Sequence, residues 1–85
     1  MIPTSIRKAH IEQAMRDIDA NGIPPTRASR KFDLLWGSKR YPPKYTISIA
    51  YRYVAGEELN PELFSGGRES TVFLESLGFE VVPKP

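Results

Sequence analysis

A chain of 85 residues, 40% of them hydrophobic and with nine aromatics, has the material for one modest core and is expected to form a single domain over residues 1–85. It contains no cysteine, which excludes disulfides and thiolate metal sites and points to a reducing, cytoplasmic location. The net charge of +2 is unevenly spread: residues 1–26 are neutral, residues 27–44 carry a net +5 and residues 45–85 a net −3, so a basic island sits inside a neutral-to-acidic chain.

The first predicted element is a helix. Thr4 or Ser5 can cap it, and Ile11, Ala14, Met15 and Ile18 supply a buried stripe at helical spacing. Asn21-Gly22 ends it, because both tolerate a left-handed backbone. Ile23-Pro24-Pro25-Thr26 is a stiff connector. Ser29 to Trp36 reads as a strand with Phe32 and Leu34 on one face. Gly37-Ser38 then forms a two-residue turn with glycine first, and Lys39 to Tyr41 returns as the second strand of a hairpin. Trp36 and Tyr51 are expected to lie mostly in the core.

Residues 43–55 carry two signals. Tyr45, Ile47, Ile49, Tyr51 and Tyr53 alternate as in a strand, whereas Ile47, Ala50, Tyr51 and Val54 recur as on a helix. The thirteen-residue length, Pro43 in a first helical turn and Gly56 at a C-cap favour a helix. Asn60-Pro61 opens a short helical turn to Phe64, and Ser65-Gly66-Gly67 is a tight loop. A helix over 68–77 follows, with Val72, Phe73 and Leu77 inward and Gly78 closing it. Phe79 to Val82 is a short strand that joins the hairpin. The predicted fold class is α+β: a small antiparallel sheet of hairpin plus C-terminal strand, with three to four helices packed against it.

No catalytic machinery is legible. With one histidine and no cysteine, neither a Cys–His pair nor a histidine-rich metal site can form, and no cofactor is expected. Glu57-Glu58 reads as solvated surface. Ser65-Gly66-Gly67 lacks the following Gly-Lys-Ser/Thr of a phosphate-binding Walker loop. No apolar run approaches the roughly 20 residues of a membrane helix, and the first residues do not resemble a signal peptide.

Binding is the better-supported chemistry. Lys39, Arg40, Tyr41, Lys44 and Tyr45, with Trp36 close by, combine cations that neutralise phosphates with rings that can stack on a base. Ser65-Gly66-Gly67-Arg68 leads directly into a helix. It is either a helix start open to an anion, reinforced by Arg68 and Ser70, or a glycine turn required only by chain geometry.

Gly37-Ser38-Lys39-Arg40-Tyr41-Pro42-Pro43-Lys44, then Gly56-Glu57-Glu58-Leu59, Phe64-Ser65-Gly66-Gly67-Arg68-Glu69-Ser70 and Leu77-Gly78-Phe79-Glu80-Val81 form a spaced set. Over roughly residues 5–82 this set resembles the N-terminal head domain of McrA-like HNH modification-dependent restriction endonucleases. The resemblance implies an α+β accessory domain, a helix after Pro42-Pro43 and a part in bacterial restriction of modified DNA. It also implies an HNH nuclease domain as partner in the parent protein, which would do the cutting.

Two readings follow. In the first, the chain is a non-catalytic module for double-stranded DNA that senses a modified base such as methylcytosine. Arg40, Tyr41, Lys44, Ser65, Gly67 and Arg68 are then the central contacts, and Arg27, Arg30, Lys31, Lys39 and Arg52 the backbone contacts. In the second, it is a protein-interaction or dimerisation module that docks onto a nuclease without touching DNA, using the acidic C-terminal half and the aromatic surface of the 41–53 helix.

Overall fold

The computed structural model describes residues 1–85. Helix α1 spans Lys8–Asn21, and its inward face is the predicted stripe of Ile11, Ala14, Met15 and Ile18. Gly22 closes it with a φ of 80° and a backbone N–H donated to the Ile18 carbonyl at 2.8 Å. The start differs from expectation. Residues 3–6 form a turn that buries Ile6 in the core, so neither Thr4 nor Ser5 caps the helix. His10 takes that task instead: its Nδ1 accepts the Arg7 backbone N–H at 2.8 Å, as the glutamate of a capping box would.

The sheet is antiparallel with strand order β2-β1-β3. Strand β1 covers Phe32–Trp36, β2 Lys39–Tyr41 and β3 Glu80–Pro83. Trp36 faces Lys39 across the Gly37-Ser38 turn, and Leu34 lies between Tyr41 and Val81. Of the two turn residues only Gly37 has positive φ, at 62°, the pattern of a turn with glycine first. The expected strand start at Ser29 is corrected to Phe32. Residues 29–31 bend away because Ser29 Oγ donates to the buried Asp33 carboxylate at 2.6 Å and Lys84 holds the Ser29 and Lys31 carbonyls. Trp36 is also less enclosed than expected: it is 40% exposed and packs edge-on against Phe79 at 5.2 Å.

The ambiguous segment is helical. Helix α2 runs Pro43–Ala50 and a single-turn helix α3 runs Arg52–Ala55, separated by Tyr51 and closed by Gly56 at a φ of 83°. The Thr46 amide and hydroxyl both bond the Pro42 carbonyl, which anchors the first turn. Alternation is lost as a signal here because α2 is enclosed on nearly all sides: Thr46 through Ala50 are all buried, against α1, β1 and the last helix. Helix α4 covers Arg68–Ser76. Its inward line passes through Ser70 and Leu74, with Phe73 and Leu77 half-buried, whereas Val72 is 50% exposed and not inward as expected. Ser70 disguised that line, being a polar residue whose buried hydroxyl is satisfied by the Ser65 carbonyl at 2.5 Å.

Tyr41 is a core residue, 4% exposed, and its hydroxyl donates to Asp19 at 2.9 Å. Burial first, and then the bond to and charge of Asp19, push its pKa up to about 12. The folded state therefore favours the neutral phenol. That contribution to stability is complete below the ordinary pKa of 10 and is lost as pH rises toward 12. Urea midpoints measured at pH 9, 10 and 11 are expected to fall faster with pH in the native protein than in Tyr41→Phe. Parallel curves would show that Tyr41 is not the titrating group.

Candidate nucleic-acid interface

Three segments distant in sequence meet around one cleft of about 590 Å³. The connector and bend before β1 supply Arg27, Ala28, Arg30, Lys31 and Phe32. The start of α2 supplies Pro42, Pro43, Lys44 and Tyr45, and the loop before α4 supplies Gly66 and Gly67. Four cations line the cleft and no carboxylate does.

Arg27 is held rigidly. Its guanidinium lies 4.9 Å over the Tyr45 ring and donates to Glu58 Oε1 at 3.2 Å and to Ser48 Oγ at 3.0 Å. Lys44 is placed by packing: a Cβ built on Gly66 would come within 3.3 Å of its Cδ, so the lysine stem rests on the bare glycine. Its ammonium sits 5.3 Å over the Phe64 ring. Arg30 and Lys31 are exposed and make no ion pair.

The other predicted contacts lie elsewhere. Arg40 pairs at 3.2 Å with Asp33, whose carboxylate is 7% exposed, and so satisfies a buried charge. Lys39 pairs with Asp19 at 3.4 Å. Arg52 pairs with Glu58 at 2.9 Å. Glu58 was read as solvated surface, but it anchors two arginines from different segments. Tyr41 is enclosed and offers no ring face to a base. Arg68 borders a separate depression with Met1, Ile2, Val72 and Phe73, so Arg40, Lys44 and Arg68 do not converge.

The double-glycine loop is closed from within. The Ser65 backbone N–H donates to Glu69 at 2.9 Å, which holds that carboxyl below its ordinary pKa, and the Ser70 hydroxyl is turned back onto the Ser65 carbonyl. The expectation that Ser70 supports an anion is therefore corrected. Glycine here serves the close approach to Lys44. Tyr45, one of the rings expected beside the cations, belongs to the cleft, as does Gly66 of the glycine loop. The basic-aromatic pairing at 44–45 was the signal for the first.

Around the sheet, the aromatic residues of 41–53 mostly face inward. Tyr45 and Tyr51 pack on the core, and exposed Tyr53 donates its hydroxyl to Asp17. That arrangement leaves Tyr53, 43% exposed, as the most open ring of the segment on which a docking role was expected to rest. No helix is long and apolar enough to cross a membrane.

Neither the curated proteins nor the solved structures contain a match to this chain. The family model described as "ScoMcrA-like, N-terminal head domain" matches residues 4–83, nearly the full length that builds the sheet, the helices and the cleft, and the chain belongs to that family.

Proposed function

We propose that this domain is a non-catalytic DNA-binding module that serves an HNH restriction nuclease, with the basic cleft as its contact surface. The family is one of accessory head domains of restriction-system proteins, which supports a DNA-associated role. One observation carries the reading. Among the six cations of residues 27–44, the three without a carboxylate partner, Arg30, Lys31 and Lys44, all line one cleft, while the two outside it, Lys39 and Arg40, are both neutralised. Unpaired cations gathered in one place are what phosphate binding requires, because each phosphate neutralised releases counterions.

Arg30, Lys31 and Lys44 are the proposed phosphate contacts, and Arg27, neutralised by Glu58, serves as a fixed part of the cleft wall. Recognition of methylated cytosine is the finer part of the proposal. Labelled plain and methylated duplexes titrated at two salt concentrations test both parts. Binding that weakens with salt supports DNA contact, and tighter binding of the methylated duplex supports sensing. Failure to bind either at low salt would end the reading.

A further inference from the structure

We infer that the cleft takes one unstacked nucleotide of DNA rather than a stretch of smooth duplex backbone. This inference rests on the DNA-binding reading above and names what enters the site. The first ground is shape. A duplex presents a convex backbone to a protein, and cations that follow it lie along a stripe. Here the unpaired cations of the basic island border a single concavity of about 590 Å³. That size falls within the roughly 300–1,000 Å³ of sites that enclose a small ligand.

The second ground is the layering of the wall. Pro42 and Pro43 are buried, Phe32, Tyr45, Arg27 and Lys44 half-buried, and Ala28, Arg30 and Lys31 exposed. The wall thus combines buried prolines with rings and two cations at intermediate depth, and Arg30 and Lys31 stand exposed at its edge. A nucleotide has the matching polarity: a planar base that stacks on rings, and a charged phosphate that stays at the rim. The Arg27 guanidinium covers the Tyr45 ring at 4.9 Å, so the base is placed against Phe32 and the guanidinium plane rather than on the Tyr45 ring. Gly67 adds no side chain to the wall and leaves open space beside it, whereas the Lys44 stem occupies the space over Gly66. An orthodox groove contact would use none of this depth.

The experiment compares two fluorescein-labelled duplexes of one sequence, one fully paired and one with a single unpaired cytosine, by anisotropy titration with the full chain. The unpaired base no longer has to be extracted, so the bulged duplex is expected to bind about tenfold tighter or more. Ala28→Leu, which narrows the cleft without altering charge, is expected to bring the ratio of the two affinities close to one. As a readout independent of that variant, 2-aminopurine at the unpaired position is expected to change fluorescence when the native chain is added. Equal affinity for both duplexes, with no 2-aminopurine response, overturns this inference and leaves backbone binding standing. A preference for the bulge that persists in a folded Ala28→Leu variant overturns the cleft as its location. Absence of binding to either duplex removes this inference together with the reading beneath it.

Discussion

Replacing Arg30, Lys31 and Lys44 together by alanine is expected to reduce duplex affinity at 50 mM salt by about three orders of magnitude, counting roughly 0.9 counterions released per phosphate contact and a reference near 1 M salt. The salt dependence discriminates further. With the three unpaired cations engaged, the native domain is expected to lose affinity by about 40-fold between 50 and 200 mM salt, and the triple variant, left with an Arg27 that Glu58 already neutralises, to show almost no salt dependence. None of the three side chains has an ion-pair partner and only Lys44 packs, on Gly66 and over Phe64, so any loss of thermal stability should trace to Lys44. Lys39→Ala is the matched control. Its ammonium is already engaged by Asp19 at 3.4 Å, and it lies outside the cleft. A Lys39→Ala loss as large as that of the triple variant would mean that DNA follows the hairpin and not the cleft.

Ile47→Ala is expected to lower stability by roughly 2–5 kcal/mol, the cost of deleting a large aliphatic side chain from a site that cannot collapse. Ile47 is fully buried on α2, the helix that touches α1, β1 and α4 together, so the cavity would open where most of the core converges. For a domain of this size that corresponds to a melting temperature lower by about 10–30 °C. It is also a large share of the roughly 5–15 kcal/mol that small domains possess in total. Val72→Ala on α4 removes a side chain that is half exposed, and should cost well under half as much. Thermal unfolding of the two variants side by side checks both placements. Equal losses would mean that α4 presents Val72 to the core after all.

Much of the fold was legible because the deciding residues act on their own backbone. Gly22, Gly37 and Gly56 all adopt positive φ at the positions expected to turn or end an element. Pro43 opens α2 from its first turn, where a missing N–H costs nothing. The hairpin followed from its two-residue turn, and the third strand then had a free edge of β1 to join. Errors arose where a side chain outside the local pattern took over. Ile6 sank into the core and delayed α1. Ser70 stood in the inward line of α4 as a polar residue, and the bond from Ser29 to Asp33 drew residues 29–31 out of the strand.

The sequence by itself determined the α+β elements, their order and a concentration of positive charge between residues 27 and 44, since each depends on neighbours a few positions apart. Which of those charges remain free was decided only by tertiary structure. Arg27 meets Glu58 across 31 positions and Lys39 meets Asp19 across 20, while Gly66 comes to rest on Lys44 from a third segment. Such pairings follow from how helices and strands pack in space, and no spacing along the chain encodes them. The physical reason is that a cation's availability is a property of what surrounds it after folding, whereas its presence is a property of the chain.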